Sequence, residues 1–232
     1  MRLGTRGSAL ALAQAQLVAE LLRPHTPGVE VIAITTSGDR ESDAAGAETS
    51  TAGGEGSARE ADKSRWVLQL EEALVAEEID LAVHSAKDVP GELGEGLALL
   101  GAPARAAVED VLCGAGSLGE FPRGAWVGRG CVRLIALLRA VRDDLTVLAV
   151  SGNVDTRLRK LEEGACDALV LARAGLQRLG REGEVGAVLD PARFVPSPGQ
   201  GTLALEGRAD DEATRATVEA ITDKETMACL LA

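Results

Sequence analysis

LTVLAVSGNVDTRLRKLEEGACDALVLARAGLQRLG (145–180) spells a strand, a helix, a second strand and a second helix in unbroken order. LTVLAV (145–150) and DALVLAR (167–173) are almost continuous apolar runs, the pattern of strands covered on both faces. VDTRLRKLEEG (154–164) opens beyond a Ser-Gly-Asn turn, and AGLQRLG (174–180) follows the second strand; both space their leucines at helical intervals. Such alternation predicts a mostly parallel sheet with helices laid over it.

Outward from that stretch the same grammar continues. AWVG (125–128) reads as a strand and CVRLIALLRAVR (131–142) as a helix, in a series that begins near residue 107. Further upstream, the helix WVLQLEEALVAEE (66–78) runs into the strand IDLAVH (79–84), VEVIAITT (29–36) is a β-branched strand, and ALALAQAQLVAELLR (9–23) is a helix after a polar GTRGS turn. Residues 41–64 are small, polar and charged with little to bury, so they read as a mobile loop. Downstream of PSPGQG (196–201) come a short strand, TLALEGR (202–208), and a helix near 210–220. No repeat family is present. The expected division is a first α/β lobe over 1–101 plus 200–220 and a second over 105–196, with 221–232 as the truncated start of a third domain.

Composition narrows the function. The 232 residues are 46% hydrophobic but only 2% aromatic, with no Tyr, so no aromatic platform is available for stacking nucleobases. A net charge of −12 also argues against a phosphate-backbone partner. No run of about 18 uncharged apolar residues occurs, and the N-terminus lacks the apolar core of a signal peptide. Membrane and nucleic acid are therefore not expected partners, and a cytoplasmic monomer is. The four cysteines (Cys113, Cys131, Cys166 and Cys229) form no CxxC pair, and only two histidines are available. No metal site is expected, and reduced thiols are.

Four segments place polar residues where an apolar strand ends or a helix begins, the crevice in which open α/β sheets bind ligands. Gly4-Thr5-Arg6-Gly7-Ser8 is either an N-cap or an anion site in which Arg6 grips a carboxylate. LAVHSAKDVP (81–90) ends a strand in His84, Ser85, Lys87 and Asp88; it is a surface turn or the mouth of a cleft, and His84 alone reads as a satisfied core residue. Ser151-Gly152-Asn153-Val154-Asp155-Thr156-Arg157 is a capped helix or a second anion site. PSPGQG is a crossover between lobes. Each is weak alone.

Together and in this order, GTRGSALALAQ, VHSAKDVP, GNVDTRLRKL, LARAGLQRLG and PGQGTLALE resemble the signature of porphobilinogen deaminases (hydroxymethylbilane synthases) from residue 2 to about 232, with the 41–64 loop divergent. The resemblance implies two lobes like type 2 periplasmic binding proteins and the deaminating, head-to-tail polymerisation of four porphobilinogens in tetrapyrrole (haem) biosynthesis, on a covalently held dipyrromethane cofactor. By resemblance Asp88 is the catalytic aspartate, steadying the cation left when ammonia departs and shuttling a proton. Arg6, Ser8, Lys87, Arg133 and Arg157 would hold pyrrole carboxylates, with Gln200 at the lobe crossover and Lys63 in an active-site loop. A site that accepts several carboxylates needs fixed cations, because a neutral pocket would leave them desolvated and unpaired.

The sequence also departs from that signature. Where the family has a Thr-Ser-Ser stretch followed by paired arginines, this chain has Arg129-Gly130-Cys131-Val132-Arg133-Leu134, and Ser151 stands for an arginine before GNV. Two guanidiniums are thus absent, with Arg129 offering one charge from another position. The sequence runs to TDKETMACLLA, short of the family's Gly-Gly-Cys loop, so no cofactor-attachment cysteine is expected in it. Cys229 reads as a packed helical residue, and Cys131 is disfavoured as a substitute. Three functions compete: a transferase of the family's class, a degenerate module that binds pyrroles or carboxylates without turnover, and a solute receptor, the last disfavoured by the missing signal peptide.

Overall fold

The computed structural model describes residues 1–36, 49–50 and 67–232. These separate into two compact units, one from 1–36, 67–106 and 198–232, the other from 49–50 and 107–197.

In the first unit, β1 (Arg2–Arg6) pairs in parallel with β2 (Glu30–Ile34) along its whole length and with β4 (Leu81–Ser85) through Leu3 and Gly4. Between β1 and β2 lies α1 (Ala9–Leu22), started by Ser8, whose extended backbone lets its Oγ accept the Ala11 N–H at 3.3 Å. Its buried face is Ala11, Gln14, Ala15, Val18, Ala19 and Leu22, three and four residues apart as one helical stripe requires. That stripe meets Leu3, Leu81, Val83, Leu203 and Leu205 in one core cluster. Burying each such leucine is worth about 2 kcal/mol. α2 (Leu68–Val75) covers the sheet with Leu70, Ala73 and Leu74.

The sheet is mixed because of one returning strand. β11 (Leu203–Arg208) inserts antiparallel between β4 and β5 (Leu97–Gly101), giving the order β2-β1-β4-β11-β5. After β11 come α6 (Glu212–Glu219) and α7 (Lys224–Leu231), whose N-cap residues Asp211 and Asp223 accept the N–H of Thr214 and Thr226. Residues 221–232, expected above to open a third domain, cluster with the first unit: Asp223 N–H donates to the Ala102 carbonyl, and buried Thr226 accepts the Arg105 N–H.

In the second unit β7 (Trp126–Arg129), β8 (Thr146–Val150) and β9 (Ala168–Ala172) are parallel neighbours. β6 (Asp110–Cys113) runs antiparallel beside β9, β10 (Val185–Val188) antiparallel beside β6, and the two-residue β3 (Thr49–Ser50) antiparallel on the β8 edge. α3 (Val132–Val141) follows β7, α4 (Val154–Glu162) follows β8 and α5 (Arg173–Arg178) follows β9. Leu112, Val127 and Val170 face one core, and Val111, Cys113, Leu169 and Leu171 face the other. Two buried faces explain why these strands read as unbroken apolar runs.

Four strands escaped the sequence reading. Residues 4–6, taken as a turn, belong to β1, where Thr5 is fully buried; β5, β6 and β10 were not singled out. RLGTR and VGAV are short and poor in large apolar side chains; ladder pairing across the sheet makes them strands.

Candidate functional site

The first unit carries one constellation at the C-terminal ends of the adjacent parallel strands β1 and β4. β4 ends at Ser85 and passes into a single 3-10 turn, Ala86–Asp88, because Ala86 N–H still bonds the Thr202 carbonyl at 3.0 Å while Pro90 ends any ladder. Lys87 and Asp88 are half-buried on that turn. Arg6, at the end of β1, lines the same small hollow as Asp88, together with Gln14, Ser85 and the apolar Ala11, Val67 and Val83.

The Gly199–Gly201 turn presses on the Asp88 turn. Gly199 has φ +70°, and a Cβ there would sit 3.0 Å from both the Ala86 carbonyl carbon and the Lys87 nitrogen. Only glycine meets both demands. The neighbouring Gln200 is 2% exposed, and its carbonyl accepts the Arg105 Nε–H at 2.8 Å. Gln200 thus braces the turn with its backbone.

Two residues here were not among the predicted ones. Gln14, 3% exposed, donates its amide N–H to Ser85 Oγ at 3.0 Å, which fixes that hydroxyl beside Asp88. The signal was legible: Gln14 is the one polar residue on the buried stripe of α1, and buried polar groups are bonded to something specific. Ser8 serves as the helix cap here, the first of the two readings above. His84 is buried, with Nε2 2.9 Å from Glu206 Oε2 but not aligned for a hydrogen bond. Nearby, burial raises the Glu71 carboxyl above its ordinary range; the Gly94 N–H works against this, and the Glu206 charge adds to it.

The second unit gathers arginines where β7 and β8 give way to helices. Arg133, in the first turn of α3, donates to Asp110 Oδ2 at 2.8 Å and to the Val195 carbonyl at 2.6 Å. Asp110 is 2% exposed, so this expected ligand-binding arginine also neutralises a core carboxylate. Arg157, in the first turn of α4, lays its guanidinium on Gly130: a Cβ there would lie 2.5 Å from Nη1. Neither N-cap residue, Cys131 of α3 or Asn153 of α4, bonds its helix through its side chain. Leu134 is 4% exposed inside the core cluster with Val127 and Leu138, so that position contributes packing and no charge.

Arg178, within the LARAGLQRLG segment but not predicted for the site, is pulled down to about 10 by burial, which still leaves it charged at neutral pH. Of the cysteines, Cys113 and Cys166 are core residues; burial pushes the Cys113 thiol up to about 11 and raises Cys166. Cys131 is half-buried and Cys229 exposed. Lys63 lies outside the described residues. Among the described residues no three His, Cys, Asp or Glu side chains gather as metal ligands would, and no helix is long and apolar enough to cross a membrane.

Comparison with known proteins adds a family. Residues 1–216 match the model described as porphobilinogen deaminase, dipyromethane cofactor binding domain. The chain is 42% identical over 228 residues to the porphobilinogen deaminase of Deinococcus radiodurans, covering 96% of this chain and 71% of that protein. Against the porphobilinogen deaminase of Roseiflexus sp. it is 44% identical over 218 residues, covering 90% of this chain and 67% of that one. Among solved structures, the methionine binding protein MetQ superposes with TM-score 0.57 at 13% identity, covering 99% of this chain and 92% of its own. A nutrient binding protein from Burkholderia cenocepacia gives 0.56 at 13%, covering 97% and 93%. The solved structures establish a periplasmic-binding-protein-like α/β fold.

Proposed function

The chain belongs to the porphobilinogen deaminase family, and from that premise we propose that it binds acidic pyrroles of the porphobilinogen type and condenses them with loss of ammonia. The observation that carries this reading is the shared hollow of Arg6, Ser85 and Asp88 at the ends of β1 and β4. It sets a carboxylate, a guanidinium and a fixed hydroxyl on one rigid sheet edge. Asp88 accepts a hydrogen bond from the pyrrole N–H and stabilises the positive charge that develops as the aminomethyl C–N bond breaks and ammonia leaves. A new C–C bond forms when the α-carbon of a second pyrrole attacks that cation. Asp88 then takes up the proton released from the attacking carbon. Arg6 and Lys87 pair the substrate's carboxylates; Gln14 holds Ser85 in place.

The second unit supplies donors suited to a polycarboxylate. Arg133 Nε is buried without a hydrogen-bond partner among the described residues, so its fork keeps donor capacity beyond Asp110 and Val195. Arg157 adds a second cation at a helix start. Dipyrromethane, when bound, would supply the primer for chain growth, and Arg133 and Arg157 are the residues that would hold its carboxylates.

Purified protein incubated with porphobilinogen, followed by an aldehyde reagent for pyrroles and by intact mass, tests this. Formation of uroporphyrinogen supports the transferase, with Asp88→Asn lowering turnover by about 10²–10⁴-fold while the melting temperature holds. Reversible binding without turnover identifies a pyrrole-binding module instead. Undiminished turnover in Asp88→Asn removes Asp88 from the mechanism.

A further inference from the structure

Arg129 is the last residue of β7 and only 8% exposed. Its Nε is buried without a hydrogen-bond partner, and among the described residues no carboxylate pairs with it. The same unit shows how a guanidinium is ordinarily satisfied: Arg142 bonds Asp144 through two nitrogens and the carbonyls of Leu118 and Phe121. A permanent charge withdrawn from water without such partners opposes folding.

A second cation lies one residue along the chain. Gly130 follows Arg129, and Arg157's guanidinium fills the space a side chain would take, with Nη1 at 2.5 Å, Cζ at 3.3 Å and Nη2 at 3.5 Å from the Cβ position. That contact also ties the start of α4 to the β7–α3 turn, so two helix N-termini add their partial positive charge to one place. Like charges crowded in this way become favourable when an anion joins them. Leu134 and Ser151, on the same two strand-to-helix turns, bring no charge of their own.

We propose that Arg129 and Arg157 together bind one carboxylate of the acidic pyrrole ligand, Arg129 being a binding residue whose guanidinium is satisfied in the liganded state. This rests on the ligand class proposed above. Isothermal titration of porphobilinogen into wild type, Arg129→Gln, Arg129→Lys and Arg6→Gln tests it, alongside melting temperatures with and without millimolar succinate. Arg129→Gln is expected to weaken porphobilinogen binding about tenfold or more, and Arg129→Lys to recover part of that. The ligand-free Arg129→Gln protein should melt no lower than wild type, because an uncompensated charge has been removed.

Unchanged affinity in Arg129→Gln, with binding lost in Arg6→Gln, overturns the role of Arg129 and leaves the pyrrole reading standing. A lower ligand-free melting temperature in Arg129→Gln, with no rescue by lysine, makes Arg129 structural and also overturns it. If wild type ignores porphobilinogen while succinate stabilises wild type but not Arg129→Gln, the carboxylate pair stands and the pyrrole reading falls. If neither probe separates Arg129→Gln from wild type, the proposal fails.

Discussion

Replacing Gly199 with alanine should damage both stability and ligand binding, by an amount that a second glycine calibrates. Gly199 and Gly28 share a left-handed backbone, with φ +70° and +66°. They differ in surroundings: nothing lies within 4 Å of a Cβ built on Gly28, whereas one on Gly199 would crowd Ala86 and Lys87 at 3.0 Å. Gly28→Ala therefore carries the conformational cost alone, about 1 kcal/mol. Gly199→Ala carries that plus the overpacking of a backbone unable to give way, about 1–3 kcal/mol more. At about 2–4 °C per kcal/mol for a chain of this size, Gly28→Ala should lower the melting temperature by a few degrees and Gly199→Ala by at least twice as much. The crowded atoms belong to the turn carrying Lys87 and Asp88, so Gly199→Ala should also weaken porphobilinogen binding while Gly28→Ala leaves it unchanged. Scanning calorimetry and titration read the two effects. Equal stability losses would refute the claimed contact between the Gly199 turn and the Asp88 turn.

Two further expectations concern charge. Burial holds the Glu71 carboxyl above its ordinary 4.5, so its contribution favours the fold below that value and is lost as pH rises through the folded one. Glu71→Gln, which cannot ionise, should then melt higher than wild type at pH 7 and match it in acid; a pH series of melting curves with the opposite trend would refute this. Arg133→Gln should cost about 3 kcal/mol in urea unfolding, because it strips buried Asp110 of its counter-ion, while Arg159→Gln, from the exposed pair with Glu163, should stay within about 0.5 kcal/mol.

How much of this was legible depended on the range of each determinant. LTVLAV and DALVLAR declared themselves because both faces of β8 and β9 are buried. β1 and β10 did not, since their partners lie far along the chain and RLGTR and VGAV carry little apolar signal. At the site, Asp88, Arg6 and Lys87 were readable from a strand end followed by polar residues, and Gln14 stood out on an apolar stripe. Arg133's bond to Asp110 spans 23 residues, and the burial of Arg129 and Leu134 depends on how α3 packs on its sheet. Neither follows from spacing alone.

The returning strand β11 has a consequence for how the polypeptide is made. A growing chain that has emerged only as far as Ser197 already holds strands β6 to β10 of the second sheet. The first sheet at that moment is split, because β4 and β5 have no direct neighbour until Leu203–Arg208 arrives between them. Two open hydrogen-bonding edges, one bordering the Asp88 turn, are exposed for the whole synthesis of the intervening segment. The reactive end of this protein is thus among the last parts to be assembled, although its residues are among the earliest translated.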